Sequence, residues 1–466
     1  MEYYNYMYSN NIAPLYGSKR NQTIDKELIK TNVLPHEYTI KDRIDLTHLD
    51  VYSIDPEGCQ DADDAFSIYR EEDKLFLAIH IADPTEEINI RSTLWQDITN
   101  KIITRYPSHL EPIHMMPQQI MDAASLMVNN YGDVKMAITI QTEIDKTTFN
   151  PINNVKLLYS KIKLKQANAL SYKKAGSLYY SLDVLYNGLK ISNSMQSLRG
   201  KETKGVVLNE ISNSYTKIEN SEMFLYHDEE SEILMKQMIA EFAIFANSFI
   251  GEYLKVNFNG RGIYRSCNAK EWLADVYMDI SGKELLNEII VNGIKADYVS
   301  KVASHDLVGA PEYCHFTSPI RRVSDCVCHY LLKYIYLKDQ NPSIAVPFTD
   351  KQLLDYSNSC VKLTKLMKNV QYKDVKFRLI QTIDTMLKNK EIIQLGFFIT
   401  SYTGLFLNII INSINEHSVY ISYTLRIPSL QIDYESKKTN YILITKVKCM
   451  GKFDQGAIPE LDNLFL

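Results

Sequence analysis

The chain has 466 residues, 45% of them hydrophobic, more than one compact core accommodates, which predicts two or three domains. A formal net charge of −5 excludes polyanion binding through global charge, so any nucleic-acid contact must use a local basic surface. Seven cysteines without a Cys-x-x-Cys pair exclude a disulfide framework and the usual zinc half-sites, and fit reduced thiols.

In chain order, residues 1 to about 25 are polar, rich in Tyr and Asn, and read as a loosely docked arm. The opening residues have neither a basic nor an apolar run, so no secretory signal is expected and a cytoplasmic setting is. Tyr52–Ile54 and Ala65–Ile68 predict strands, and Leu75–Ile81 predicts a buried one. Residues 151 to 172 add strand and turn material, and the polar stretch 192–222 reads as a long loop. From Glu232 to Tyr253, apolar residues such as Leu234, Met238, Phe242, Phe245 and Phe249 recur at helical spacing. A second helix is expected from Ile320 to Leu337. The last 75 or so residues alternate apolar and polar, which predicts a small β-barrel. Gly396–Ile414, broken by Thr400, Ser401, Thr403 and Asn408, reads as two strands rather than a membrane span.

The first chemical signal lies between the first two strands. Residues 53–65 place Asp55, Asp61, Asp63 and Asp64 within ten positions. So many carboxylates together are unfavourable unless something cancels their charge, and Mg²⁺ takes such hard oxygen ligands. A calcium EF-hand is excluded, because counting from Asp61 puts Ala65 and Phe66 at positions five and six. A solvated acidic loop is the plain alternative, weakened by the buried strands on either side.

The second signal is Tyr313-Cys-His-Phe-Thr-Ser-Pro-Ile-Arg-Arg322. Ser318 is a candidate N-cap and Pro319 suits the first helical turn, so helix-end N–H groups and Arg321 and Arg322 would make an anion site. Arg322, Asp325 and His329 share one helix face, and an ordinary capped helix with an Arg–Asp pair explains that spacing equally well.

With these two motifs, further segments fall in a familiar order. They are Arg43-Ile-Asp-Leu46, His80-Ile-Ala-Asp83, Arg105-Tyr-Pro107, Met116-Pro117, Ala240-Glu241 through Asn247, and Gly262-Ile-Tyr-Arg265. Over about residues 26–385 the chain resembles the ribonuclease II / ribonuclease R / exosome Dis3 family with its RNB catalytic domain. The resemblance implies an α+β fold, with mixed sheets and surrounding helices around an RNA channel, plus a small C-terminal OB-like β-barrel. It divides the chain into an arm (1–42), an RNB-like domain (43–385) and a barrel (390–466), whose weak match to the family pattern points to a degenerate RNA-binding face. It implies a processive, metal-dependent 3′-to-5′ exoribonuclease that degrades single-stranded RNA to nucleoside 5′-monophosphates by two-metal hydrolysis, with Mg²⁺ or Mn²⁺. The alternative is a catalytically silent member kept as an RNA-binding or scaffold subunit.

Carried over by position, the metal residues are Asp55, Asp61, Asp63 and Asp64, with Asp63 and Arg321 catalytic. RNA contacts fall on Tyr106, Arg322, Thr317, Ser318 and Glu241, although Glu241 and Asn247 suit a structural hydrogen-bonding role as well. His80 and Asp83 are expected to shape a strand end, and Tyr264 to sit in the core. About 40 residues precede the catalytic domain, too few for the family's cold-shock domains, so RNA capture is expected to depend on the catalytic channel, the C-terminal barrel or a protein partner that replaces those domains; no membrane is expected.

Overall fold

The computed structural model describes residues 16–17, 19–59, 61–107, 111–152, 154–203, 214–219, 222–272, 282–403, 406–415, 417–426, 440–444, 447–450 and 458–461. The expectations for residues 1–15 and 204–213 lie outside these. The fold is mixed α+β. After α1 (Gln22–Lys30), six strands form one sheet: β1 (Ile44–Asp45), β2 (Val51–Asp55), β3 (Asp64–Glu71), β4 (Lys74–Ala82), β5 (Val134–Ile144) and β6 (Lys156–Ser171). Their order is β1-β6-β2-β3-β4-β5. β6 pairs with β5 over its first half and with β2 over its second, so strands β2 to β6 close into a circuit. The apolar run of β4 is buried almost throughout, as a strand covered on both faces must be.

Helices α2 (Thr93–Lys101) and α3 (Gln118–Ala124) lie between β4 and β5. After β6 come α4 (Tyr172–Leu178) and α5 (Asp183–Thr203), then the hairpin β7 (Ser214–Glu219) and β8 (Glu222–His227). The long loop expected over 192–222 is therefore helix as far as Thr203 and hairpin from Ser214. Ser, Asn and Lys dilute the apolar period of α5, yet Leu185, Leu189 and Met195 are buried.

The long helix α6 (Glu230–Asn257) is closed by a Glu229–Glu232 capping box and buries Met235, Met238, Phe242, Ala246, Ile250 and Leu254. By length and composition it could cross a membrane, but here its apolar face is part of the main core. Gly251 lets it approach the 312–313 backbone, where a Cβ would come within 2.7 Å of Glu312 C. Then follow β9 (Tyr264–Ser266), α7 (Gly282–Val291), β10 (Asp297–Val299), α8 (Val323–Lys338) and α9 (Asp350–Lys388). α8 is buried nearly all round, and β9 pairs with β10.

The C-terminal part is an OB-like β unit. β11 (Ile393–Thr403), β12 (Phe406–Ile414), β13 (His417–Arg426) and β14 (Asn440–Ile444) pair in the order β13-β12-β11-β14, and β15 (Val447–Met450) pairs with β16 (Ile458–Leu461). It has its own core, in which Ile393, Leu395, Ile409 and Ile411 pack on Leu379, Ile380 and Ile383 at the end of α9. The two strands expected within Gly396–Ile414 are present as parts of β11 and β12.

Candidate active site

The four aspartates meet because one short connection joins β2 to β3. Asp55 ends β2, Asp64 begins β3, and Asp61 and Asp63 lie on the link. Two backbone bonds pin it, from Ala82 N–H to Asp63 O (2.8 Å) and from Leu126 N–H to Ala62 O (3.1 Å). All four carboxylates line a cavity of about 670 Å³. Its walls also include Tyr106, Tyr172, one face of α6 and the segment carrying Thr317, Ser318, Arg321 and Arg322. Small side chains on α6, Ala240 and Ala243, leave the room.

Arg321 enters from the far end of the sequence. Its Nε donates to Asp63 Oδ2 at 3.0 Å, across 258 positions, and its Nη2 donates to Ser318 Oγ at 2.9 Å. The Ile320 N–H donates to the other Asp63 oxygen at 2.8 Å. Residues 318–321 thus form a turn rather than the first helical turn, and α8 begins at Val323 with Arg322 as its cap. The expected helix end at Ser318–Pro319 is corrected for a physical reason: the amides that would face a phosphate are already taken. Ser318 N–H goes to Asp325 Oδ1 (2.8 Å), and Ile320 N–H goes to Asp63.

Charge in the cavity is only partly balanced. Burial raises Asp55 to about 6, opposed by a Ser53 hydrogen bond and reinforced by Asp63 and Asp61. Burial raises Asp63 to about 7, although Arg321 and the Ile320 amide hold it down. Asp64 also reaches about 7, through burial and then the Asp55 charge, against Arg321 and Arg322. For Arg321, burial acts to release the proton, but Asp63, Tyr106, Asp64 and Asp325 together outweigh it and the pKa rises. Tyr106 is 40% exposed, and burial of its hydroxyl beside Asp61 raises its pKa.

The remaining predicted residues divide. Thr317 and Ser318 line the cavity, and Thr317 Oγ1 accepts from Asn247 Nδ2 at 3.4 Å. Arg322 lines it too; it donates to Asp325 Oδ1 at 2.9 Å, and its buried Nε has no hydrogen-bond partner among the described residues. Glu241 is not brought in, because it is buried against Arg199, whose Nε donates to it at 3.2 Å. Asn247 braces the 313–317 segment, accepting from Phe316 N–H at 2.8 Å. His80 is buried between Thr139 and Ser67, and burial lowers it to about 3. Asp83 joins a buried ion network with Arg43, Glu86 and Lys333. Tyr264 is fully buried.

Three cavity-side residues escape sequence reasoning. Tyr172 follows Ser171, whose side chain caps α4, and that capping serine was the available signal. Lys236 Nζ stands over the Tyr172 ring, 5.5 Å from its centroid. His114 Nδ1 lies 3.9 Å from Asp61 Oδ2, and nothing in its local sequence marks it.

Among the described residues, no three His, Cys, Asp or Glu side chains are already arranged as a metal cluster. The donors nonetheless fit a hard divalent cation that takes its other ligands from water and a phosphate. They are carboxylate oxygens of four groups, two of which are raised to about 7, and the buried Asp55 Oδ2 has no hydrogen-bond partner among the described residues.

Carboxylates opposed by an arginine pair in a cavity, within a mixed α+β fold, define a phosphate-handling class of site. The chain belongs to the RNB family, whose domain model matches residues 43–338. It is 23% identical over 371 residues to the chloroplastic/mitochondrial ribonuclease II of Arabidopsis thaliana, covering 75% of this chain and 43% of that protein. It spans about half the length, or less, of the curated relatives it matches. In fold it resembles an active-site mutant of the Dss1 exoribonuclease from Candida glabrata (TM-score 0.76, 18% identity, 96% of this chain and 58% of that one). It also resembles Mycoplasma genitalium RNase R in complex with ribose-methylated single-stranded RNA (TM-score 0.73, 17% identity, 97% and 77%). Yeast Ssd1, a pseudonuclease, shares the fold at TM-score 0.66, 16% identity, 88% of this chain and 52% of that one.

Proposed function

We propose that the chain is a processive 3′-to-5′ exoribonuclease that hydrolyses single-stranded RNA to nucleoside 5′-monophosphates with divalent metal ions, Mg²⁺ foremost. The observation that carries this reading is the convergence of Asp55, Asp61, Asp63 and Asp64 with Arg321 in one cavity, from opposite ends of the domain. Asp55 and Asp64 would hold one cation, and Asp61 and Asp63 would complete a second site. When bound, such ions supply neutralisation of phosphate charge and a water acidic enough to attack phosphorus.

The chain's own groups do the rest. Arg321 is held by Asp63 and Ser318 through Nε and Nη2, which aims the guanidinium at the cavity. Its charge offsets that developing on the scissile phosphate, a role worth about 3–4 kcal/mol in comparable sites. Arg322, whose buried Nε is unpartnered among the described residues, adds a second positive charge at the same wall. Tyr106 offers a ring for the terminal base, worth about 1–3 kcal/mol and indifferent to sequence.

A second reading, an RNA-binding protein without catalysis, is raised by the likeness to the pseudonuclease Ssd1. Incubation of 5′-labelled single-stranded RNA with the protein decides between them. The nuclease reading expects stepwise shortening in Mg²⁺ and none with Asp63→Asn. RNA left intact in both Mg²⁺ and Mn²⁺ supports the silent reading, and internal fragments would overturn the exonucleolytic part.

A further inference from the structure

We propose that the open groove between α9 and the β9–β10 pair binds the phosphate backbone of single-stranded RNA and forms a track toward the aspartate cavity. The inference rests on the RNA-acting reading above and adds a second contact surface to it. The groove encloses about 580 Å³ and offers Ser266, Asn268, Ser300, Lys301 and Asn358, while no carboxylate among the described residues lines it. Hydroxyl, amide and ammonium donors without a competing anion suit phosphate oxygens.

Beyond the groove, α9 continues this chemistry. Residues 356–373 contain Lys362, Lys365, Lys368 and Lys373 and no acidic residue, in a chain of net charge −5. At 3.6 residues per turn, Leu354 and Asn358 of the groove share a sector of about 80° with Lys365 and Lys368. Both lysines are exposed, and neither has an ion pair among the described residues. Arg265 on β9 adds a further cation, its guanidinium 4.6 Å from the Tyr298 ring centroid. Partial dehydration and Arg265 hold the Lys368 pKa below the ordinary lysine value; Asp297 opposes this, and Lys295 adds to it. These cations repel one another, and a polyanion relieves the repulsion.

The groove also shares a wall with the cavity. Tyr298 lines the groove, its hydroxyl is bonded to His315 Nδ1 at 2.8 Å, and His315 lines the cavity. Exposed Leu354 and Val302 also line the groove, but a row of lysines with no acidic residue between them matches an evenly spaced phosphate chain better than a folded protein partner, whose interface core is depleted of such charge.

The test uses the full chain in EDTA, so that binding is read without cleavage. Fluorescein-labelled oligouridylates of about 6 and about 25 nucleotides are titrated at several KCl concentrations, since phosphate contacts are read from the salt dependence. For K365Q/K368Q, affinity for the long RNA should fall about tenfold, and the slope of log affinity against log salt should shrink by about 1.4, at about 0.7 per contact. Affinity for the short RNA should stay within about twofold, because the cavity alone holds it. N358E, which places a carboxylate in the groove, should weaken the long RNA alone. Unchanged affinity and slope for the long RNA in both variants overturn the proposal, as does equal loss on both lengths. Displacement of the long RNA by polyglutamate of equal charge would also overturn it, in favour of an acidic polypeptide. All substituted side chains are exposed, and an unchanged Tm confirms folding. Failure of the nuclease reading is seen separately, as absence of Mg²⁺-dependent shortening by the unsubstituted protein.

Discussion

Removing a carboxylate from the cavity should make the metal-free protein more stable, and Asp64→Asn is the cleanest case. Only burial and neighbouring charges act on Asp64, so the substitution removes the charge without breaking a side-chain hydrogen bond among the described residues. Its carboxyl moves from 3.8 to about 7 on folding. A raised carboxyl binds its proton more tightly in the folded state than in the unfolded one. Its cost is therefore absent below pH 3.8, grows through the interval up to about 7, and is fully present above it. At about 1.4 kcal/mol per pH unit, that cost is about 4 kcal/mol at pH 8 and under about 2 kcal/mol at pH 5. The new amide must itself be buried in part, which takes back about 1–3 kcal/mol. Urea denaturation in EDTA should therefore show Asp64→Asn more stable than the unsubstituted protein by about 1–3 kcal/mol at pH 8, with the advantage gone near pH 5. In Mg²⁺ the order should reverse, because cation binding stabilises only the protein that retains the ligand. A variant less stable than the unsubstituted protein at pH 8 in EDTA, or a difference that ignores pH, would refute the claim that the cavity charge is uncompensated.

Arg321→Ala should lower kcat/KM for RNA about 10²- to 10³-fold. It should also move the acid limb of the rate profile to higher pH, because Arg321 holds the Asp63 carboxyl down; an unshifted limb would separate the two groups functionally. Tyr106→Ala should leave a longer undegraded end product and raise KM on short oligomers about 5- to 150-fold, read on sequencing gels, in line with one lost stacking contact. Gly251→Ala presses a Cβ to within 2.7 Å of the Glu312 backbone and should cost about 1–3 kcal/mol in denaturant titrations. Asp83→Asn should destabilise by about 3–5 kcal/mol, since it leaves Arg43 and Lys333 buried with less countercharge; retention of the parental midpoint would deny that the network is needed.

The strand–loop–strand frame around the aspartates is legible because each of its parts is local. Apolar runs at 51–54, 65–68 and 75–81 specify buried strands, and the acidic link between them has no other place than a sheet end. What sequence reading misses is set by distant partners. Ser318-Pro319 has the local chemistry of a helix start, yet a carboxylate 257 positions away takes the Ile320 amide and fixes a turn there. Glu241 falls among the RNA contacts by its position in the family pattern, with a structural hydrogen-bonding role as the alternative, and the structure gives it the structural role. Its actual partner, Arg199, lies in a stretch whose Ser, Asn and Lys content conceals a helix. Tyr172 and His114 come near the aspartates only through closure of the strand circuit and the Arg105–Ile113 backbone pairing.

Burial alone does not separate structural from functional charge in this molecule, and Asp83 and Asp64 demonstrate the point. Burial pushes both carboxyls upward. Asp83 ends well below its ordinary value because Lys333 stands 3.0 Å away and Arg43 2.5 Å away. Asp64 ends near 7 because its nearest strong influence is another carboxylate, Asp55, and the arginines opposing it are partly spent on Asp63 and Asp325. The satisfied network ties the end of β4, which pairs with the aspartate-bearing β3, to α8, which follows the segment carrying Arg321 and Arg322. A scaffold neutralised in this way can hold an unneutralised cluster rigidly in place. The unmet charge is then available to whatever binds, instead of being relieved by rearrangement of the fold.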